Sequence, residues 1–219
     1  FLSMKLLEIK DDLSNVDSYL LVIKNRKILY KLLSNADLQY EDSYIQILDE
    51  NYKELKVSDY IDFVTSVINL DANSKKNLNV LLRRIKKEEN EVLIKTSNEI
   101  NKKLEECAKQ IKLSSPINIF CDIDLDEDDV IKMLGISLQD DSPNLVERIN
   151  NYINVSFELR NIKIFIFYNL LAFLDESELD LLVRANKYNG IKIIDIENVE
   201  YKTDIFDHIK ILDEDICVI

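Results

Sequence analysis

The side chains that usually carry out enzymatic or metal chemistry are few and scattered in these 219 residues. There is one histidine, His208, and there are three cysteines, Cys107, Cys121 and Cys217, with no CxxC or HxxxH spacing. A zinc centre is not indicated, although a Cys–His dyad stays open because such pairs form in space and not along the chain. Three scattered cysteines suit a reducing compartment and read as small buried hydrophobes. Glycine is rarer still: Gly135 and Gly190 stand alone, 55 residues apart. Loops that cradle phosphate need neighbouring backbone N–H groups unobstructed by side chains, hence clustered glycines. Neither glycine belongs to GxGxxG or GxxxxGK[ST]. A nucleotide-hydrolysing or dinucleotide enzyme is disfavoured, and no catalytic residue is nominated.

Two charged constellations remain. The segment Asp122-Ile123-Asp124-Leu125-Asp126-Glu127-Asp128-Asp129 puts six carboxylates into eight residues. Alternate aspartates on an extended segment point the same way, and hard oxygens at that density suit Ca²⁺. The run begins like an EF-hand loop and then departs from it, with Glu127 where the loop needs Gly and Met133 where it needs Glu. It reads equally as a helix start, with Asp126 as N-cap and Glu127, Asp128 and Asp129 at the positive end. Either way, the carboxylates repel one another unless a cation or a basic partner sits nearby. The second constellation is Lys75, Lys76, Arg83, Arg84, Lys86 and Lys87, around the apolar positions Leu78, Leu81, Leu82 and Ile85 of one helix. Such a stripe could neutralise phosphates and release their counterions. It could also be a solvated face trading ion pairs with Glu88, Glu89 and Glu91.

The elements that must position these groups change character along the chain. Tyr19–Ile23 reads as a buried strand, followed by a helix with Ile28, Leu29, Leu32 and Leu33 on one face. Ile45–Leu48 and Glu54–Val57 read as a hairpin. Helical spacing then runs from a cap at Ser58 through Tyr60, Ile61, Phe63, Val64, Val67 and Ile68. A second helix follows a cap at Asn73 or Ser74, and a long one covers about 88–113, with Leu93, Ile100, Leu104, Cys107 and Ile111 as a stripe for neighbouring helices. A short helix from Asp126 closes at Gly135, and Ser142-Pro143 starts another. Strand Ile162–Tyr168, a helix opened at Asp175 or Ser177 and closed at Asn189-Gly190, and strand Ile191–Ile196 make a parallel βαβ unit. Ile209–Leu212 and Cys217–Ile219 add short final strands. The expected architecture is an α/β domain built from both ends of the chain, residues 1–57 and 151–219, interrupted by a helical insertion over 58–150.

Composition agrees with such a fold. Hydrophobic residues make up 47% of the chain, enough for a sizeable core. The longest charge-free apolar stretch, Ile164–Leu174, has 11 residues, against about 20 for a spanning helix. With no signal-peptide pattern, and with Phe1-Leu2-Ser3 reading as a remnant ahead of Met4, the expectation is a cytoplasmic protein without membrane attachment. The net charge is −13, from 28 basic and 41 acidic residues. It is unevenly spread: residues 75–112 are net +5, and residues 113–150, directly after, are net −7.

With the elements in this order, the chain resembles the ring-forming, DNA-end-binding adaptation protein family of type II-A CRISPR systems. Leu20-Leu21-Val22-Ile23-Lys24-Asn25-Arg26-Lys27-Ile28-Leu29 looks like that family's first strand, Asn-containing turn and helix. Phe63–Ser74 is similar to its first leg helix and turn, and Asp122-Ile123-Asp124-Leu125 leading to Leu134-Gly135 to its acidic segment and short helix. Ile164-Phe165-Ile166-Phe167-Tyr168-Asn169, with Leu174 and Glu178, resembles its late strand and helix. Arg26-Lys27 departs from the Pro that members often carry after the Asn.

The resemblance implies a P-loop-like α/β head without a working nucleotide site and a helical leg inserted into it. It implies a non-catalytic protein of spacer acquisition and antiviral defence. That protein would be a ring-shaped homotetramer holding Ca²⁺ and threading double-stranded DNA ends through a basic hole, beside an effector nuclease and a spacer integrase complex. Lys75, Lys76, Arg83, Arg84, Lys86 and Lys87 are then the expected DNA contacts, and Asp122, Asp124, Asp126 and Asp129 the expected calcium ligands. The alternative is an acidic protein-interaction scaffold with a degenerate head and no DNA binding. Four chains of −13 repel a polyanion at long range, but beyond about 8–10 Å salt screens that field and the local surface decides.

Overall fold

A strand with apolar side chains on both of its sides has two faces to bury, and three such segments form the middle of the fold. They are β2 (Ser18–Ile23), β6 (Ile164–Tyr168) and β7 (Lys192–Glu197). In the computed structural model, which describes residues 3–6, 16–34, 45–48 and 53–214, these three lie at the centre of a five-stranded sheet. Its order is β5-β6-β7-β2-β8, with β5 at Ile61–Val64 and β8 at His208–Leu212. Every pairing in it is parallel.

Helices cover both faces. Leu20, Val22, Phe165, Phe167 and Ile193 pack with Ile149 and Ile153 of α5 (Leu145–Arg160) and with Leu179 and Leu182 of α6 (Glu176–Tyr188). Leu21, Ile23, Ile164, Ile166, Ile194 and Ile196 turn the other way. They meet Leu29 and Leu32 of α1 (Arg26–Ser34) and Ile47 of β3 (Ile45–Leu48). That strand belongs to a small antiparallel sheet, β1 (Ser3–Leu6), β3 and β4 (Glu54–Leu55), with the expected hairpin pairing Ile47 opposite Leu55.

The helices between β5 and α5 form a separate unit. Packing divides the chain into residues 1–72 with 140–219, and residues 73–139. The insertion contains α2 (Lys75–Glu88), α3 (Asn90–Ser114) and α4 (Glu127–Leu134) around Leu93, Val130 and Ile131, with Leu82, Ile100 and Ile136 against them. Asn73 closes its base: Nδ2 donates to the Leu138 carbonyl at 2.9 Å, and Oδ1 accepts from the Leu138 N–H at 2.7 Å.

The structure corrects several readings. Residues 61–64 are not helical but form strand β5, and Ser58 lies in a 3-10 turn at Val57–Asp59. Ile61 and Phe63 meet one core and Val64 the other, so a strand buried on both faces mimics helical spacing. The helical unit is accordingly residues 73–139 and not 58–150, since β5 and all of α5 belong with the sheet. The cap of α5 is Asn144, whose side chain accepts from the Glu147 N–H at 2.9 Å; Pro143 precedes it. Cys107 is exposed and Cys121 partly so, and neither is a core residue. The expected strand Cys217–Ile219 lies outside the described residues.

A buried polar group ties the edge strand β5 to α5. Asp62 accepts from the Tyr152 hydroxyl at 2.6 Å and from the Arg160 guanidinium. Burial first, and then the Asp62 charge, hold the Tyr152 phenol well above its ordinary range. Phe165, fully buried at the centre of the same face, meets Tyr152 edge-on at 6.3 Å and stacks beside Phe167 at 6.5 Å. Phe165→Ala is expected to remove about 3–5 kcal/mol, read as a lowered denaturant midpoint of the sheet unit.

Candidate nucleic-acid interface and the acidic segment beside it

The amphipathic pattern of α2 decides which of its cations reach solvent. Ser74 caps the helix, its Oγ accepting from the Asn77 N–H at 3.4 Å. Leu78, Leu81, Leu82 and Ile85 are partly covered, and Lys75, Lys76, Arg83, Arg84 and Lys87 are exposed. Lys86 differs from the other five: it is half-buried and its Nζ meets Asp128 Oδ1 at 2.7 Å. The hydrogen bond that Lys86 donates to Asp128 raises the Lys86 pKa, holding it charged. The structure therefore exposes five of the six predicted cations and leaves the sixth half-buried beside Asp128. Lys95, Lys102, Lys103, Lys109 and Lys112 of α3 are exposed as well; they contributed to the positive stretch but their positions within it carried no motif.

The division into units sharpens the charge map. Residues 73–139 carry twelve basic and twelve acidic side chains, so the whole excess of −13 belongs to the other unit. Within the helical unit the two signs are unevenly spread: residues 75–112 hold eleven cations and six carboxylates, and residues 122–129 hold the other six carboxylates.

The acidic segment is pinned before α4 starts. Asn101 on α3 grips Leu125 from both sides, Nδ2 donating to its carbonyl at 3.0 Å and Oδ1 accepting from its N–H at 3.1 Å. Asp126 then caps α4: its Oδ1 accepts from the Asp129 N–H at 3.0 Å, and Asp129 Oδ2 accepts from the Asp126 N–H at 3.3 Å. This is the reciprocal capping box. Asp129 Oδ1 also meets Lys132 Nζ at 3.0 Å. That hydrogen bond and the Asp126 N–H together hold the Asp129 carboxyl below its usual range. Lys86 and Lys132 are thus basic partners that relieve part of the repulsion. Gly135 ends the helix at φ 59°, in the left-handed region that glycine takes without strain.

These bonds bear on calcium. Asp126 and Asp129 turn oxygens toward the backbone and Lys132, while Asp122 and Asp124 are exposed. Among the described residues, no three His, Cys, Asp or Glu side chains converge as a metal cage. Within one chain, the expected ligands Asp122, Asp124, Asp126 and Asp129 do not form a coordination sphere by themselves.

At the carboxyl edge of a parallel sheet, where α/β proteins usually place ligands, the turn after β2 is only Lys24-Asn25. The Asn25 side chain occupies the start of α1, Oδ1 accepting from the Lys27 and Ile28 N–H groups at 3.1 and 3.2 Å. Its Nδ2 donates to the Glu214 carbonyl at 2.7 Å. An amide therefore takes the donors that a phosphate would need. Nearby on β7, Asp195 and Glu197 are buried. The sequence reading passed over them, and over Asp62, although carboxylates at alternate positions of an apolar strand are a legible signal.

Five parallel strands with a helical insertion between the strand at one edge and its neighbour define an α/β protein carrying an inserted helical module. The family comparison makes this specific. The model of the CRISPR-associated protein family Cas_Csn2 matches residues 39–216, and the chain belongs to that family. Among solved structures, it is similar to the crystal structure of Stu0660 of Streptococcus thermophilus, with a TM-score of 0.55 and 15% identity over 91% of this chain and 70% of that one. That likeness supports the fold. A comparison with curated proteins gives no match. Among the described residues no helix is long and apolar enough to cross a membrane.

The capping box predicts a measurable effect without any metal. Asp126→Ala should make the first-turn amides of α4 exchange about fivefold faster. Asp122→Asn with Asp124→Asn should leave them unchanged in metal-free buffer. Because the Asp129 pKa is lowered, its contribution is present at neutral pH. It is lost as pH falls below about 4 and through the folded value, so these amides should lose protection in acid.

Proposed function

We propose that the chain acts in CRISPR spacer acquisition as a non-catalytic protein that binds double-stranded DNA at its ends, as a ring-shaped homotetramer stabilised by calcium. Family membership supports the CRISPR setting. The observation that carries DNA binding is the exposed cationic face of α2, with Lys75, Lys76, Arg83, Arg84 and Lys87, on a unit with no net charge of its own. Contacts of this kind neutralise phosphates and carry no base code, as a ring slipping over an end requires. The Asn25 cap, which fills the start of α1, supports a head that does not hold nucleotide phosphate.

Oligomerisation has its own support. The expected apolar stripe of α3 is covered only in its first half: Leu93 is buried, while Leu104, Cys107 and Ile111 are exposed. Ile117 and Phe120, shortly after α3 along the chain, are exposed as well, at 72% and 85%. Apolar side chains grouped in this way mark an interaction surface, and the proposal assigns it to further copies of the chain. Calcium would then complete its sphere around Asp122 and Asp124 on assembly, with Asp126 and Asp129 contributing what their capping bonds leave. Partners in the cell would be the effector nuclease and the spacer integrase complex.

Gel shifts of linear against covalently closed duplex test the reading. Binding only where free ends exist is expected. Arg83→Glu with Lys87→Glu should weaken binding to every sequence and flatten its salt dependence; Lys86→Gln, which loses a cation already paired with Asp128, should do less. An unchanged salt slope in the double variant would move the contact surface off α2, and no shift of either duplex at low salt would favour an acidic protein-interaction scaffold. In light scattering and thermal melting, chelator should lower both ring mass and melting temperature of the wild type, with Asp122→Asn plus Asp124→Asn already low. No response of metal-free wild type to added calcium would remove the calcium part.

A further inference from the structure

The group on β7 that no role has absorbed is the pair Asp195 and Glu197. Residues two apart on a strand stand on one face, about 7 Å apart along it, which brings two carboxyl groups within reach of each other. Both residues are fully buried. Each has one oxygen satisfied by backbone: the Leu170 N–H donates to Asp195 Oδ1 at 3.2 Å and the Leu171 N–H to Glu197 Oε1 at 2.9 Å. The remaining oxygens, Asp195 Oδ2 and Glu197 Oε2, are buried and have no donor. Two carboxylates cannot satisfy each other, because neither brings a hydrogen. One proton between them satisfies both oxygens and removes one of two like charges.

The surroundings favour that proton. Across the sheet, Asp195 lies opposite Leu20 and Phe167 and Glu197 opposite Val22, all apolar. The titratable group from the following loop is Tyr201, itself raised mainly by burial and then by the Glu197 and Asp195 charges. No cation is among the main influences on either carboxyl. Burial first, and the Glu197 charge second, hold the Asp195 pKa well above the ordinary carboxylate range; burial raises Glu197 too.

We infer that Asp195 and Glu197 share one proton in the folded protein and form an alkali-sensitive latch, tying the turn at residues 169–172 to the carboxyl edge of the sheet. The turn is held by the two N–H donors just described and by Asn169, whose N–H donates to the Ile196 carbonyl at 3.0 Å with φ at 63°. Leu170, fully buried, is the side chain the latch keeps in the core. Loss of the proton leaves two buried like charges, and the relief is to move the strand end and the turn apart.

The sign follows from the raised pKa. The latch contributes fully below the unfolded carboxyl value of about 4, and its contribution falls as pH climbs from there through the folded value. Asp195→Asn keeps the shape and supplies a permanent N–H donor to Glu197. Thermal melting of the full chain from pH 5 to pH 8.5 is the test. The melting temperature of Asp195→Asn minus that of wild type should rise by about 4 °C or more over this range. A difference that is flat or falls with pH would overturn the latch. Should the variant fail to fold, ¹³C carboxyl shifts of the wild type read the pair directly, with one step displaced well above the ordinary carboxylate range expected and titration of both groups in that ordinary range, about 4, refuting it. Melting in 5 mM CaCl₂, MgCl₂ or EDTA supplies the remaining arm. No change that depends on Asp195 is expected, and a Ca²⁺ or Mg²⁺ stabilisation lost in Asp195→Asn would make the occupant a metal and overturn the proton.

Discussion

A parallel sheet whose central strands are apolar on both faces cannot leave either face to water. In this chain the constraint falls on β2, β6 and β7, and the remaining elements of the sheet unit answer it. Helices α5 and α6 cover one face. Helix α1 and the small antiparallel sheet cover the other. Because the strands are parallel, their carboxyl ends gather at one edge, and so do the polar groups that end them: Asn25 after β2, Asn169 after β6, Glu197 at the end of β7. The Asn25 side chain, the Asn169 N–H and one oxygen of Glu197 each bond to backbone within the fold.

The helical unit obeys a different balance. Its core is small, with Leu93, Val130 and Ile131 at the centre, and its stability leans on side-chain bonds to backbone: the Ser74 cap, the Asn101–Leu125 grip and the Asp126–Asp129 box. The unit is neutral overall, and its acidic run is anchored by Lys86 and Lys132. Lys86 sits where the two territories meet, which is why sequence spacing alone placed it with the cations it does not join.

Much of the fold was legible because its signals are local. The run Tyr19–Ile23, the apolar run from Ile164 to Phe167, the helix-start residues Asp175 and Ser177 and the glycine after Leu134 each declare an element without reference to anything distant. The failures are where two periods coincide or where coverage is decided elsewhere. Residues 61–64 face two cores, so their apolar positions fit a helix as well as a strand. The stripe on α3 is apolar along its length, yet α4 is eight residues long and covers only the first part. Cys107 was placed in a core for the same reason. The cationic face was readable from α2 spacing, whereas the Lys86–Asp128 bond joins residues 42 apart and leaves no trace in the sequence.

The clasp between Asn73 and Leu138 has a consequence for the chain as a polymer. A connection of the length of residues 73–139 between a strand and the helix that must pack over it would ordinarily carry a loop-closure penalty. Each doubling of loop length adds about 0.6 kcal/mol. By holding the first and last residues of the insertion together, the two amide bonds let the surrounding fold meet a tie of a few residues, a saving of about 2–3 kcal/mol once the insertion has folded. The order of events is thereby biased: the insertion closes on local contacts, and the strand at one edge of the sheet and its covering helix then find each other as near neighbours along the chain.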